Sequence, residues 1–294
     1  MKGSLRQPLT PLRAQAAADR ARLKTDHPSV FNPTLASRLL PASLVAVVVG
    51  LAFYSLWRFG FSPEKLFDGL GRLGLVVVLM IPPDPGSQFW NFMGALGETL
   101  AIAFLGTLGA ALLALPISLL AAKNVVANWI VHVASRRFLD TIRGVDTLIW
   151  ALIWINVVGL GPFAGILAIM TSDFGTFGKL FSEAIEASDR KPVDGIVSAG
   201  GSDLHGFRFG ILPQVLPVLL SQVLYFFESN TRSATIIGIV GAGGIGLYLA
   251  NEIAQAEWPH VAFLILMILV TVAAIDWLSG KVRHAVIGTR GRTA

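Results

Sequence analysis

The sequence predicts an all-α protein that crosses a membrane about six times. Hydrophobic residues make up 54% of the 294 residues and charged residues only 14%, and the mean hydropathy is +0.67, which is too apolar for an ordinary globular protein. The apolar residues gather in runs without Asp, Glu, Lys or Arg, each close to the roughly 20 residues that a helix needs to cross about 30 Å of hydrocarbon. These runs cover residues 39–57, 99–122, 147–172 and 258–275.

The positive charges lie mainly in the ends and loops of the chain. This is the positive-inside pattern, which predicts that both termini are cytoplasmic and that the number of crossings is even. Because the charges are placed in this way, the net charge of +5 does not indicate nucleic-acid binding. The terminal basic residues are Lys2, Arg6, Arg13, Arg20, Arg22, Lys24 and Arg38 before the first run, and Lys281, Arg283, Arg290 and Arg292 after the last.

These observations divide the chain into a basic cytoplasmic end, a first span, an external loop, a core and a basic cytoplasmic tail. The predicted segments are 1–38 (cytoplasmic), 39–60 (first transmembrane helix), 61–93 (external, with an interfacial helix over 66–80), 94–280 (core) and 281–294 (cytoplasmic tail). Within the core, the predicted spans are 94–122, 145–159, 162–179, 211–229 and 258–279.

The run over 147–172 has two interpretations: one long tilted span, or two short spans joined by a turn. The segment Gly159-Leu160-Gly161-Pro162 favours a turn, because proline cannot continue a helix and glycine adds conformational freedom. An even number of crossings also requires two spans here, so we expect two.

A polar loop over 180–210 is predicted to contain two short helices, 193–200 and 203–209, separated by a bend at Gly200-Gly201-Ser202. Ser202 is expected to cap the second helix, with Asp203 at its positive end. Two short helices that stand off a membrane can insert into a groove of another protein. The alternative is a solvated loop that binds nothing.

The spacing in this loop resembles the EAA loop of the permeases of bacterial ABC importers. Gly200 is followed by nine residues, one position that is aliphatic in the family, one spacer and Leu212-Pro213. The tail from Arg232 to Gly246, Arg-Ser-Ala-Thr…Gly-Ile-Val-Gly-Ala-Gly-Gly-Ile-Gly, is similar to the phosphonate permease branch. The resemblance covers about 62–285 and includes Pro82-Pro83-Asp84, 159–165 and 178–184.

The loop departs from the family pattern at three places. Asp194 stands where the family has Glu, Gly195-Ile196 stands for Ala-Ala, and Gly210 stands for an aliphatic residue. Asp194 keeps a carboxylate that is one methylene shorter, so its partner on the ATPase is expected to sit differently.

The resemblance implies the type I ABC importer permease fold in a bacterial inner membrane. It implies a second copy of this chain, two nucleotide-binding ATPase subunits that hold ATP and Mg²⁺, and an extracytoplasmic solute-binding protein. The chain has no GxxxxGK[ST] phosphate loop, so it cannot hydrolyse ATP alone. The residues that the resemblance assigns to coupling with the ATPase are Asp194, Gly200, Gly201, Ser202, Asp203, Leu204, Leu212 and Pro213.

The expected cargo is a phosphonate or a related phosphorus oxyanion. One alternative is a permease for another small solute, such as phosphate, phosphite or methionine. A remote alternative from another class is a membrane-embedded enzyme acting on lipid phosphate. That enzyme would need acid/base or metal groups facing one cavity, whereas the five histidines are scattered and no paired-carboxylate motif stands out, so no catalytic or metal residue is predicted.

The candidate substrate pathway centres on Arg232. Its planar donors suit a tetrahedral oxyanion, and an arginine near a span usually faces a polar interior. The alternative is a structural ion pair with Glu228, one turn earlier. Asp173 would repel an anion, so we expect it to pair internally or to lie outside the pathway. The residues assigned to the pathway are Asn230, Arg232, Ser233 and Thr235.

The glycine-rich tail formally matches G-x-G-x-x-G, but it lacks the βαβ context and the later acidic residue of a dinucleotide site. We interpret it as a close-packing segment, with Gly238, Ala242 and Gly246 four apart on one helical face. Where the backbone is not helical, it must be buried or line a wet cavity. The glycines concerned are Gly238, Gly241, Gly243, Gly244 and Gly246.

Overall fold

The computed structural model describes residues 18–23, 25–26, 35–126 and 128–288. Much of the predicted basic ends therefore lies outside the described residues. The described chain divides into two compact units, Met1–Leu73 and Gly74–Ala294. Every regular element in the described ranges is a helix, as the composition predicts.

The first unit contains α1 (Leu35–Arg58) and the beginning of α2 (Pro63–Leu79). The stretch Pro41–Arg58 is long and apolar enough to cross a membrane. Gly60 has a φ of 65° in the turn that follows, and Pro63 opens the next helix. The helix expected over 66–80 is α2, which begins three residues earlier.

The second unit contains the end of α2 and nine further helices. They are α3 (Phe89–Ala121), α4 (Trp129–Arg143), α5 (Thr147–Val158), α6 (Pro162–Glu186), α7 (Lys191–Ser198), α8 (Asp203–His205), α9 (Leu212–Ile237), α10 (Ile245–Ala254) and α11 (Trp258–Gly288). A 3₁₀ turn, Gly86–Gln88, precedes α3, and π-helical segments occupy Gly206–Ile211 and Gly238–Ala242.

The run over 147–172 folds as two helices, α5 and α6, as the turn residues predict. Gly159 and Gly161 have φ values of 93° and 134°, which residues other than glycine rarely adopt, and Pro162 begins α6. α5 has only 12 residues, a rise of about 18 Å. The predicted third span is therefore a short helix, and α4 precedes it at a bend of 84°.

Four described stretches are long and apolar enough to cross a membrane, and the bent pair α4–α5 makes a fifth. The four are Pro41–Arg58, Gly86–Ala121, Asp203–Ala242 and Trp258–Arg283. α6, which coincides with the predicted span 162–179, is 25 residues long but carries four charged residues that lower its hydropathy.

α6 is nevertheless the central helix of the bundle, and it packs along α3 through small residues. A Cβ at Gly106 would lie 2.7 Å from Cβ of Ile169, and one at Gly109 would lie 2.8 Å from the sulfur of Met170. Such close approach replaces the hydrophobic effect as the main source of cohesion between helices surrounded by lipid.

Three apolar clusters follow one another along the bundle. The cluster nearest the 180–210 loop is built on Phe177, Phe181 and Val215, and the middle one on Ile102, Ile169 and Ile237. The third, at the opposite end, contains Phe92, Ala95, Ile245 and Leu264.

The glycine-rich tail breaks a helix instead of continuing one. α9 runs past the predicted end at 229 to Ile237, and α10 begins at Ile245. Between them, Gly241, Gly243 and Gly244 have φ values of 103°, 82° and 73°. The prediction that Gly238, Ala242 and Gly246 share one continuous helical face is therefore wrong, because positive φ values cannot occur inside a right-handed helix.

Close packing of these glycines is nevertheless observed across the break. A Cβ at Gly238 would lie 3.0 Å from Cα of Gly246, and a Cβ at Gly246 would fall on the carbonyl oxygen of Thr235. The ends of α9 and α10 are in backbone contact, which only glycine permits.

We expect Gly246→Ala to lower the thermal unfolding midpoint of the detergent-solubilised protein, because backbone atoms must move to admit the methyl group. Overpacking of this kind costs about 1–3 kcal/mol. The matched control is Gly94→Ala on α3, where a Cβ meets nothing within 4 Å. Equal midpoints for the two variants would contradict the packing assigned to Gly246.

Candidate functional site

The loop between α6 and α9 contains α7 and α8 and is held to the start of α9 by one side chain. The Gln214 amide accepts a hydrogen bond from the backbone N–H of Asp189 (3.0 Å) and donates to the backbone carbonyls of Asp189 (3.1 Å) and Gly210 (2.7 Å). Asp189 also accepts from the N–H of Lys191, at the start of α7. Gln214 thus joins both ends of the loop to α9, a role that the sequence does not reveal.

The departure of Gly210 from the family pattern has a structural reason. A Cβ at Gly210 would lie 2.8 Å from Cγ2 and 3.2 Å from the backbone nitrogen of Val193 on α7. Gly206, one turn earlier, leaves room for the other methyl of Val193 (3.0 Å). α7 therefore packs directly on the backbone of the π-helical segment, and Val193 fills the space that two absent side chains leave.

The predicted bend between the two short helices is present. Gly200 has a φ of 88°, and the N–H groups of Gly200 and Gly201 donate to the carbonyls of Val197 and Ile196 (both 2.9 Å). A Cβ at Gly201 would lie 2.6 Å from Cγ2 of Ile196. The bend thus closes the C-terminal end of α7 and reverses the chain.

Ser202 opens the next helix, as predicted, and His205 completes the cap. The Ser202 hydroxyl lies 2.8 Å from Nδ1 of His205, and the Ser202 N–H donates to the same nitrogen (3.4 Å). The second helix is not separate, however. After Asp203–His205 the chain continues through the π-helical segment into α9. The second half of the loop is therefore the N-terminal extension of a long helix.

The outward face of the loop carries acidic and apolar side chains. Asp194 and Asp203 are exposed, and Leu204 and Phe209 are 74% and 59% exposed. A cavity of about 570 Å³ lies behind them, between the loop and the end of α3. Exposed apolar side chains on rigid short helices are typical of a docking surface.

Leu212 and Pro213 lie at the junction of the loop and α9, and Pro213 is exposed. Leu212 is half-buried and begins α9, and Pro213 lies in its first turn. A proline is compatible with this position because the first N–H groups of a helix need no intrahelical acceptor.

The polar residues at the far end of α9 separate into a buried and an exposed group. The Asn230 amide is buried and donates to the Thr107 hydroxyl (2.8 Å) and to the Asp173 carboxylate. Both of its donor hydrogens are therefore used inside the chain, which leaves none for a solute. Asp173 is paired internally, as the sequence analysis expects.

Arg232 is 49% exposed and pairs with Glu228 at 3.3 Å, one turn earlier on α9. The structural ion pair that the sequence offers as an alternative thus exists. About half of the Arg232 side-chain surface remains exposed beside this pair. Ser233 and Thr235 are half-buried, and their hydroxyls donate to backbone carbonyls of α9 itself, those of Ser229 (3.4 Å) and Thr231 (3.2 Å).

The break between α9 and α10 has partners that the sequence analysis missed. The Glu98 carboxylate accepts from the N–H of Gly244 (2.9 Å), and the Thr99 hydroxyl accepts from the N–H of Ile245 (2.8 Å). The Gly161 N–H donates to the carbonyl of Gly241 (3.0 Å). A signal was available, because Glu98 stands alone at the start of a long uncharged run.

This arrangement offers two kinds of functional surface: a projecting loop for a partner protein, and a partly polar helix that ends in a break. Among the described residues, no three His, Asp or Glu side chains lie together as a metal ion would require. The fold and the loop define a membrane subunit of a transport system.

A family model for the inner membrane component of binding-protein-dependent transport systems matches residues 114–287. The match covers more than half of the chain, so the protein belongs to this family. Its members are the permease subunits of ABC importers, in which a separate subunit hydrolyses ATP.

Curated relatives agree with this assignment. The chain is 40% identical over 227 residues to a putative phosphite transport system permease of Stutzerimonas stutzeri, covering 77% of this chain and 80% of the relative. It is 32% identical over 260 residues to a phosphate-import permease of Mycolicibacterium smegmatis, covering 88% of this chain and 49% of the relative.

The fold is also found in a solved structure. The permease of a methionine ABC transporter in an inward-facing conformation matches with a TM-score of 0.60 and 18% identity, over 68% of this chain and 97% of that one. The likeness confirms the predicted importer permease fold.

We expect Gly210→Ala to loosen α7 from the π-helical segment, because the new methyl group would overlap Val193. Hydrogen exchange over residues 191–211 should become faster in the solubilised protein, with local stability lower by about 1–3 kcal/mol. Gly195→Ala is the matched control, since a Cβ there meets nothing within 4 Å and alanine favours the helix. Unchanged exchange in Gly210→Ala would refute the close packing of α7.

Proposed function

We propose that this chain forms, as a homodimer, the translocation pathway of an ATP-driven importer for phosphonates or related phosphorus oxyanions. The observation that carries the proposal is the loop of α7 and α8. Gln214 attaches this loop to α9 by hydrogen bonds, and Leu204 and the carboxylates of Asp194 and Asp203 are exposed on it. The similarity to a phosphite transport permease and to a phosphate-import permease supports this class of cargo. An importer for another solute, such as methionine, is the second candidate, since the solved neighbour is a methionine transporter.

The proposed assembly contains two copies of this chain, two ATPase subunits that hold ATP and Mg²⁺, and an extracytoplasmic solute-binding protein. It lies in a bacterial inner membrane, with both termini and the α7–α8 loop in the cytoplasm and six crossings per chain. The basic residues at the ends of the chain support this orientation.

Coupling follows from the way the loop is attached. A force on α7 and α8 passes through Val193 and Gln214 into the first turns of α9. α9 is a 26-residue helix, so the displacement reaches its far end, where Arg232 and the glycine break lie. Such rigid-body motion of one helical element is the basis of alternating access.

Arg232 is the proposed contact for the anion, with Ser233 and Thr235 beside it. A guanidinium that is half exposed on an apolar span needs polar surroundings, because lipid would not solvate it. A second copy related by a two-fold axis would enclose such a surface and create a wet pathway. Asn230, whose donors are used inside the chain, acts in this proposal by holding α9 to α6.

We expect the complex reconstituted with its ATPase and binding protein to show ATP hydrolysis stimulated by phosphite, phosphate or a phosphonate. Asp194→Ala and Gly200→Ala should lose solute uptake while the chain still inserts into the membrane. Asp194→Ala removes a carboxylate from the docking surface. Gly200→Ala forces alanine into a φ of 88°, which costs about 1–2 kcal/mol and distorts the bend.

Gly195→Ala on the same helix is the control and should transport normally. Normal uptake by both loop variants would remove the coupling assignment. Stimulation by methionine alone would instead favour the second candidate function and leave the coupling assignment intact.

We also expect Arg232→Gln to reduce uptake more than Glu228→Gln does, by about tenfold at low solute concentration, because one charge-assisted contact to the anion is lost. Both variants break the same ion pair, and Glu228→Gln also removes the longer contact to Arg283, so a purely structural role predicts a defect in Arg232→Gln no larger than that in Glu228→Gln. The measurement is the rate of uptake by each variant across a range of solute concentrations. If Arg232→Gln and Glu228→Gln show the same kinetics, Arg232 lies outside the pathway.

A further inference from the structure

A groove of about 470 Å³ lies between α4, α6, α9 and α11, and neither the residues of the α7–α8 loop nor Arg232 line it. Both of its charged lining residues are arginines, one at the end of α4 and one near the end of α11. Its polar lining residues are Arg143, Thr176, Ser221, Gln222, Tyr225 and Arg283. The groove is therefore a positively charged, open site on a largely apolar bundle.

The position of Arg143 is fixed by its backbone. A Cβ at Gly175 of α6 would lie 2.9 Å from the backbone nitrogen of Arg143 and from the carbonyl oxygen of Leu139. Gly178, one turn on, leaves room for the Leu139 side chain. The end of α4 is thus packed on the backbone of α6, and Arg143 is held beside Thr176 at the edge of the groove.

Several polar atoms of the groove are buried without a hydrogen-bond partner within the chain. They are the Ser221 hydroxyl oxygen, the Gln222 amide oxygen and Nε of Arg283. Buried polar atoms are nearly always satisfied, so such a group of three needs an explanation. The Gln222 amide can also present its NH₂ group by rotation of its terminal torsion.

Arg283 has only a weak internal partner. Its nearest carboxylate oxygen, on Glu228, lies 3.9 Å away, whereas Glu228 is 3.3 Å from Arg232. Arg143 is exposed and no acidic side chain lines the groove. Two arginines therefore line a groove to which no carboxylate contributes.

We propose that this groove binds a phosphorus oxyanion, with Arg143 and Arg283 as its charge partners. Guanidinium donors match the geometry of phosphate oxygens, and the hydroxyl of the exposed Tyr225 can donate to a remaining lone pair. The anion has two sources with the same chemistry: the phosphodiester headgroup of an acidic lipid, or free phosphate and its analogues.

The groove lies in the half of the bundle next to the α7–α8 loop. Each helix contributes its loop-side half, as Arg143 ends α4 and Val218 and Gln222 lie in the first turns of α9. The site goes beyond the proposed function, because binding requires neither ATP nor transport. It would remain measurable if the importer carried an unrelated solute, and its failure would leave the coupling loop unaffected.

The test uses the full chain in a neutral maltoside detergent. Binding of radiolabelled inorganic phosphate is measured by equilibrium dialysis, and binding of phosphatidylglycerol by native mass spectrometry. Arg143→Gln and Arg283→Gln should each lower the affinity about tenfold, as expected when one hydrogen bond to a charged group is lost.

Arg137→Gln is the matched control, because Arg137 lies on the same helix, is 81% exposed, pairs only loosely with Asp140 and does not line the groove. It should bind both probes like the unchanged protein. Arg143 is itself exposed, so Arg143→Gln leaves the packing intact and decides the matter even if Arg283→Gln misfolds.

Binding of phosphate that depends on the two arginines would support the site with free oxyanion as its ligand. Binding of phosphatidylglycerol that depends on them and resists saturating phosphate would support it with a lipid headgroup as its ligand. If Arg143→Gln binds both probes as tightly as Arg137→Gln does, the proposal is overturned.

Discussion

The structure depends on how the backbone polar groups at the break between α9 and α10 are satisfied inside an apolar bundle. Unpaired N–H and C=O groups cost several kcal/mol in hydrocarbon. Glu98 and Thr99 of α3 accept from the first N–H groups of α10, and the Gly161 N–H donates to Gly241. The break therefore holds α3, the α5–α6 turn, α9 and α10 together, and none of them can move far without the others.

The same helix that ends at this break begins at the α7–α8 loop. The buried Asn230 on α9 links this helix to Thr107 of α3 and to Asp173 of α6. In the proposed coupling, a displacement of the loop would reach the break through α9. Glycines there tolerate both signs of φ, and the hydrogen bonds from Gly244, Ile245 and Gly161 keep these backbone groups satisfied away from lipid.

The sequence predicts the helical class, the two helices over 147–172, the bend at Gly200 and the cap at Ser202, because each depends on local chemistry. It does not predict the length of α9 or the helix break, since a glycine-rich run is compatible with both a packed helix and an interrupted one. Nor does it predict Gln214 or Glu98 as partners of distant backbone groups. Those contacts join residues far apart in the chain, and one sequence contains no signal for such pairs beyond an isolated charge.

The charges along α9 are only partly balanced by contacts within one chain. Glu228 is nearly buried and lies between Arg232 and Arg283, so a single carboxylate faces two guanidinium groups. The excess positive charge extends from the loop-side groove to the half-exposed Arg232. Positive charge on an apolar span is unfavourable unless an anion or a polar partner balances it. In the proposed function, an oxyanion cargo would provide that balance along the helix to which the loop is attached, which would connect the chemistry of the solute to the mechanics of the permease.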